Sequence, residues 1–160
     1  LLFENQIPNW FFKGNKNLKR IIIPSTIKVI GKEAFRECSA LKQVTIPSSV
    51  TQIRQYTFYK CESLEQITIP SSVTNIARWA FAFCSSLKNI KLPYSLKEVG
   101  RETFDSCELL EQVVMPNVTQ IRKNTFRFCN TLRQITINKS LEISSIRGEL
   151  VYFSARIIRI

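Results

Sequence analysis

The sequence repeats with a period of about 23 residues, and this period constrains the fold more than any other feature of the chain. Proline recurs at 24, 47, 70, 93 and 116, phenylalanine at 35, 58, 81, 104 and 126, and cysteine at 38, 61, 84, 107 and 129. The final step of the last two series is shorter than the others by one, because the segment after Pro116 lacks one position. A fixed period in this range indicates a stacked-repeat architecture.

Each copy of the repeat predicts one short strand. The unit is L-x-x-V/I-x-I-P-x-S-V-x-x-I-x-x-x-A/T-F-x-x-C-x-x, and its best copy covers residues 41–63. There Val44 and Ile46 alternate with Gln43 and Thr45, which is the period of two that a half-buried strand requires. The proline that follows lacks an N–H and therefore ends the strand. Successive strands are expected to stack in parallel, since one turn alone cannot bury its apolar face.

The rest of each unit is predicted to complete the turn. Residues 50–53 are expected to return as a second short extended segment, and residues 56–61 to close the coil with Phe58 in the core. The cysteine column is predicted to be structural, because buried free cysteine behaves as a small hydrophobe. An odd number of cysteines cannot pair fully, and the sequence has none of the short C-x-x-C pairs that zinc sites use.

Both ends of the chain look like degenerate copies of the repeat. Ile158 and Ile160 stand one full period after Ile135 and Ile137, which predicts a last strand in that register. Neither end offers the polar outer face of a capping repeat, so we expect the chain to be a piece of a longer protein. The apolar columns of an incomplete first copy are occupied by Ile7, Phe12 and Leu18.

This pattern resembles the BspA-like, or treponemal-type, class of leucine-rich repeats. The resemblance is strong over residues 18–137 and weak in residues 1–17 and 138–160; Thr replaces Ala at three positions, and Asn138 stands in the proline column. Period and resemblance together predict a leucine-rich-repeat solenoid. It should have one parallel β-strand per 23-residue turn and form a β-rich horseshoe or arc of about seven turns. We expect one such domain over residues 1–160.

Nothing in the sequence indicates catalysis. The chain has no histidine, which removes the commonest general base and metal ligand, and it lacks the glycine-rich and nucleophile motifs of common enzyme classes. No catalytic residue, cofactor or metal site is predicted. No apolar run reaches the roughly 20 residues that span a bilayer, so no membrane insertion is expected in this segment.

The exposed strand positions are the first candidate binding face, which is concave in this architecture. One column alternates in charge and can form cross-strand ion pairs; the next is rich in amides. These positions are either a solubilising surface or a polar face for a protein partner. The candidates are Lys42, Gln43, Thr45, Glu65, Gln66, Thr68, Lys88, Asn89, Lys91, Glu111, Gln112, Arg133 and Gln134.

The excess of cations is the second candidate feature, because the formal net charge is +11. Cations cluster just after the returning segment and form a basic stripe, which either serves solubility or attracts polyanions such as acidic polysaccharide. Nucleic acid ranks last among the partners because only charge supports it. The stripe comprises Lys32, Arg54, Arg78, Arg101, Arg122 and Lys123. Tyr56 and Trp79 are expected at the surface edge, either as packing residues or as recognition residues.

Two functions remain for a chain of this kind. The resemblance implies a non-enzymatic adhesion module of a surface or secreted protein, which binds host matrix proteins or other cell-surface macromolecules. The alternative is an intracellular scaffold or regulator that docks a protein partner. Five cysteines without an obvious pairing favour a reducing compartment, whereas the sequons at Asn117 and Asn138 would matter only outside the cell.

Overall fold

The computed structural model describes residues 4–141 and 155–160, and these residues coil into a parallel-strand β-solenoid, as predicted. One side of the coil carries the longer strands, and within the described ranges there are seven of them, which corresponds to about six turns. No helix occurs in the described part of the chain. The longer strands are β2 (Arg20–Ile22), β4 (Gln43–Thr45), β6 (Gln66–Thr68), β8 (Asn89–Lys91), β10 (Gln112–Met115), β12 (Gln134–Ile137) and β13 (Arg156–Arg159).

The returning segments form the opposite side of the coil, as two-residue strands that also pair in parallel. Each ends on a buried aliphatic residue, so the apolar columns of both sides meet in one core. The bounds are β1 (Gln6–Ile7), β3 (Val29–Ile30), β5 (Gln52–Ile53), β7 (Asn75–Ile76), β9 (Glu98–Val99) and β11 (Gln120–Ile121). We call the exposed side of the longer strands the strand face, and that of the shorter strands the return side.

The strand register follows the sequence period except at the last strand. Val44 pairs with Ile67, one full repeat away, and Val113 pairs with Ile135 across the shortened copy. At β13 the prediction was wrong by one residue, because Ile157 rather than Ile158 pairs with Ile135. The last copy is therefore also one position shorter than the consensus. Most of the degenerate copy at 138–160 lies outside the described residues.

The strand-face ladder is interrupted once. Strands β2, β4 and β6 form one sheet, and β8, β10, β12 and β13 form another. On either side of the interruption the residue after a strand donates its N–H to the next turn, as Ile23 does to Thr45 at 3.1 Å and Leu92 does to Val114 at 2.9 Å. Between β6 and β8 the described residues form no such ladder, so the two strands lie side by side without regular pairing.

Phenylalanine fills the core in consecutive turns from Phe12 to Phe126. Neighbouring rings lie 5.1 to 5.7 Å apart, and their planes are within 11° of parallel. The column starts with Phe12, which stacks on Phe35, so the incomplete first copy occupies the place that the sequence predicted. The five rings that follow it are fully buried: Phe35, Phe58, Phe81, Phe104 and Phe126.

The cysteine column is buried beside the rings and bonds one turn to the next. The Cys61 thiol donates to the Phe35 carbonyl at 3.1 Å, and the same carbonyl also accepts the N–H of Cys38. The other four thiols repeat this contact at 3.0 to 3.2 Å. A thiol is therefore suited to this position because it is small and apolar enough for the core and still satisfies a carbonyl of the preceding turn.

The described turns close through residues with left-handed backbone. Eleven described residues other than glycine have positive φ. In the turn that contains Phe58, for example, these residues are Tyr56 and Lys60, both at φ 57°. Such conformations are strained for residues with a Cβ. The threonines that replace alanine in three copies are satisfied nearby, as when the Thr57 hydroxyl donates to the Arg54 carbonyl at 2.7 Å.

Candidate functional site

The strand face carries aligned rows of polar side chains, because parallel pairing places equivalent residues on neighbouring rungs. Lys42 pairs with Glu65 at 3.4 Å, and Arg133 pairs with Glu111. The expected alternation of charge therefore produces cross-strand ion pairs at these two steps. Because these side chains are exposed, each pair contributes at most about 1 kcal/mol to stability.

The strand face carries a depression of about 470 Å³ at the interruption between β6 and β8. Residues from both sides of the interruption line it, together with Gln112 and Val114 of the next strand. A smaller depression of about 380 Å³ adjoins it between β4 and β6. The strand face therefore has two adjoining depressions at its centre, where two sheets meet without a continuous hydrogen-bonded ladder.

Exposed amides border the larger depression. Gln66 and Asn89 stand on opposite sides of the interruption, and within the described residues neither side-chain amide has a hydrogen-bond partner. Each amide has both donors and an acceptor available. The surface can therefore bond to backbone or side-chain groups of a partner without breaking an existing internal bond.

The structure gathers most of the thirteen predicted face residues around these two depressions. Gln43 and Thr45 line the smaller one, while Lys42, Glu111, Arg133 and Gln134 line neither. Val114 lines the larger depression and was missed as a candidate, although it interrupts a column that is otherwise rich in threonine. The larger depression includes these predicted residues: Glu65, Gln66, Thr68, Lys88, Asn89, Lys91 and Gln112.

The return side has a separate groove of about 390 Å³, lined by three residues of the basic stripe: Arg78, Arg101 and Arg122. The other three residues of the stripe do not line it: Lys32, Arg54 and Lys123. One carboxylate, that of Glu98, shares the groove and accepts two bonds from Arg122 at 2.6 and 3.2 Å. This bidentate pair raises the pKa of Arg122, chiefly through its hydrogen bonds to Glu98.

The groove exists because two small residues follow one another in the repeat column. Ala77 and Gly100 occupy the position where the turns before and after carry Arg54 and Arg122. Gly100 also lets two turns approach closely, since a Cβ there would lie 2.9 Å from the Ile76 carbonyl oxygen and 3.0 Å from the Arg78 nitrogen. The surface at these two turns is therefore recessed relative to the neighbouring turns, and guanidinium groups border the resulting groove.

Tyr56 and Trp79 do lie at the surface edge, and both rings are half-buried. Their centroids are 4.9 Å apart with an angle of 22° between the planes. The Arg78 guanidinium lies 4.5 Å from the Trp79 centroid, and Arg36 lies 5.6 Å from that of Tyr56. The two rings are thus engaged in stacking and cation–π contacts within the protein.

The buried thiols are unsuited to nucleophilic chemistry. Burial raises the pKa of the Cys38 thiol to about 11 and raises that of Cys61 well above its ordinary value. A thiolate is the reactive form, so these groups stay protonated at neutral pH. Among the described residues, no three acidic or cysteine side chains are grouped as metal ligands. No candidate membrane-spanning helix is found among residues 4–141 and 155–160.

Both sequon asparagines are engaged in the fold. The Asn117 amide donates to the Tyr94 carbonyl at 2.6 Å, and the Asn138 amide donates to the Pro116 carbonyl at 3.1 Å. The Asn138 side-chain oxygen also accepts the Ser140 N–H at 2.8 Å. Each amide therefore links one turn to the preceding one, in the manner of the serines that occupy the equivalent loops.

Solved structures with the same fold include several bacterial leucine-rich-repeat proteins. One from Bacteroides ovatus has a TM-score of 0.73 and 30% identity, covering 86% of this chain and 40% of its own. The T. pallidum leucine-rich-repeat protein has a TM-score of 0.74 and 24% identity, covering 98% of this chain and 80% of its own. A leucine-rich cell surface protein of Faecalibacterium prausnitzii has a TM-score of 0.66 and 24% identity, covering 97% of this chain and 51% of its own. This chain thus spans less than half of the Bacteroides ovatus protein.

The sequence comparisons agree with these structural ones. No curated protein matches the chain significantly. The family model described as the BspA type leucine rich repeat region matches residues 5–133 and 97–158, with six copies. These matches cover most of the chain, and the observed solenoid has the period and the parallel strands of that repeat. The chain therefore belongs to the BspA-type leucine-rich-repeat family.

Proposed function

We propose that this chain is a non-enzymatic protein-binding module of a surface protein, and that it attaches to host matrix or cell-surface proteins through its strand face. The observation that carries the proposal is the central depression between β6 and β8. Polar side chains surround it, and the amides of Gln66 and Asn89 have no partner among the described residues. Solenoid proteins use such extended faces to bind partners.

The surface location is supported by a structural neighbour. The Faecalibacterium prausnitzii protein that shares the fold is a leucine-rich cell surface protein, and it is about twice as long as the matched region. The cysteines do not oppose this location, because all five are buried in the core. Their lack of pairing is explained by packing, so it gives no preference for a reducing compartment. The intracellular scaffold remains the alternative function, to be decided by the partner that is found.

The proposal can be tested with two matched double variants. T68E/K91E places two carboxylates beside the depression, on β6 and β8. T74E/K97E makes the same two substitutions on exposed residues of the return side, also one repeat apart. Binding to surfaces coated with purified collagen, laminin or fibronectin, and to cultured epithelial cells, should fall about tenfold only for the first variant, as expected when charge is added at the centre of an interface.

Two outcomes would contradict the proposal. Equal losses for the two variants would mean that net charge, rather than the strand face, controls attachment. Failure of the unaltered protein to bind any matrix protein or cell would favour the intracellular alternative. Circular dichroism of both variants serves as the folding control, because all four substituted side chains are exposed.

A further inference from the structure

We propose that the groove on the return side is a binding site for an acidic polysaccharide, and that Arg78, Arg101 and Arg122 hold its sulfate or carboxylate groups. This site is separate from the strand face, so the proposal stands independently of the protein-binding function. The groove has a volume of about 390 Å³ and lies where Ala77 and Gly100 lower the surface between larger neighbours.

Two of the guanidinium groups are held in place before any ligand arrives. With the Gln55 amide oxygen turned toward it, Arg78 donates Nε at 2.9 Å and Nη2 at 3.3 Å, while its plane lies over the Trp79 ring. Arg122 is fixed by its two bonds to Glu98. Fixing a long side chain in advance reduces the conformational entropy that ligand binding would otherwise cost.

The third guanidinium, that of Arg101, supplies charge to the groove. Within the described residues, the Arg101 guanidinium forms no ion pair and no hydrogen bond, and the residue is exposed. Three cations against the single carboxylate of Glu98 leave the groove with a local excess of positive charge. An anionic group placed among them would relieve this repulsion and form charge-assisted bonds, for which guanidinium has a suitable planar geometry.

The polar lining of the groove favours a polysaccharide over a nucleic acid. The Asn75 amide and the Glu98 carboxylate lie in the same lining as the arginines. Sugar hydroxyls can donate to that carboxylate and bond with that amide, and an acidic polysaccharide carries such hydroxyls beside each of its anionic groups. Nearby aromatic rings are already stacked on each other or covered by arginine, so they offer no open face for bases to stack upon.

The test measures the affinity of the protein for a heparin hexasaccharide and the retention of the protein on a column that carries this hexasaccharide. R78Q/R101Q removes two charges from the groove, and R20Q/R127Q removes two from other surfaces, so their net charges are equal. A77M keeps every charge and fills the groove, at a position where neighbouring turns tolerate arginine. We expect affinity to fall about tenfold or more in R78Q/R101Q and A77M, and less than about threefold in R20Q/R127Q.

Equal losses in the two double variants, or an unchanged affinity of A77M, would overturn the proposal, since they would show attraction to net charge alone. Binding of a single-stranded oligonucleotide of equal charge with the same affinity and the same dependence on A77M would also overturn it, in favour of a general polyanion groove. The T68E/K91E variant should keep its affinity for the hexasaccharide within about threefold, and a loss of about tenfold would place the sugar on the strand face instead.

Discussion

The rings of Phe58 and Phe81 lie in consecutive turns with their centroids 5.4 Å apart and their planes 11° from parallel. They occupy equivalent positions of successive repeats, and both are fully buried. This contact, repeated along the chain, joins each turn to the next through the centre of the core. In a solenoid each repeat contacts only its neighbours, so losing one ring weakens two interfaces at once.

Phe81→Ala should therefore be strongly destabilising. We expect the free energy of unfolding to fall by about 3 to 5 kcal/mol, because a large buried ring is replaced by a cavity. The matched control is Phe83→Ala, which removes the same side chain two residues away, where Phe83 is 37% exposed. Urea unfolding followed by circular dichroism measures both; similar losses would show that the assigned core register is incorrect.

The buried thiols should make the fold sensitive to alkaline pH. Burial raises the pKa of Cys38 to about 11 from an ordinary value of 9.0, and raises those of the inner thiols in the same direction. The protonated thiol is thus favoured by folding, so its contribution is complete below pH 9 and is lost as pH rises through the folded-state pKa.

The thiol contribution can be isolated with C61A/C84A. Each thiol steepens the loss of stability by up to about 1.4 kcal/mol per pH unit above its unfolded-state pKa. The double variant should be mildly destabilised at pH 7 and should lose stability less steeply between about pH 9 and 10.5. If the free energy of unfolding fell equally steeply with pH in the variant and in the unaltered protein, the buried thiols would not be the cause of the alkaline sensitivity.

Glu102→Gly should increase stability, because Glu102 has φ 53° and a Cβ is strained there. Relief of that strain is partly offset by the greater chain entropy of glycine, which leaves a gain of about 0.5 to 1 kcal/mol. Glu108→Gly is the control, since Glu108 is exposed and is not among the residues with positive φ. Thermal unfolding should move in opposite directions for the two variants.

Asp105→Asn should also stabilise the protein at pH 7. Burial raises the pKa of the Asp105 carboxyl, although the Ser106 hydroxyl, which donates to it at 2.9 Å, and the charge of Arg127 act against this. A raised folded-state pKa means that the stabilising contribution of this group is present at acid pH and lost as pH rises through that pKa. The advantage of Asn should accordingly shrink below about pH 4; a constant difference between pH 3 and 7 would contradict this assignment.

Much of the candidate site was visible in the sequence. The columns that predicted the strand face are in register on each side of the interruption, since Gln43 pairs with Gln66 and Asn89 with Gln112, and Lys42 does meet Glu65. The interruption between β6 and β8 was not predictable, because residues 64–92 follow the same consensus as their neighbours. Small differences in strand spacing decide whether a ladder bond forms, and a repeat consensus does not encode them.

The groove on the return side was likewise only partly predictable from the sequence. The sequence identified the cations, but the repeat pattern alone made Lys32 and Arg101 equivalent members of the basic stripe. Only the fold showed that Ala77 and Gly100 create a depression, and that Gln55 and Glu98 fix two of the surrounding arginines. A column of the repeat shows which residues are neighbours, whereas the depth of the surface depends on side-chain volumes across several adjacent turns.

The sequence by itself determined the solenoid, its parallel strands and the identity of its core columns. It did so because a fixed period with apolar residues at the same places can bury those residues only by stacking the turns. The tertiary structure alone decided the register of the last strand, the left-handed residues in each turn and the thiol-to-carbonyl bonds. These depend on backbone distances between turns, which are set by packing along the entire stack rather than by the residues of any one copy.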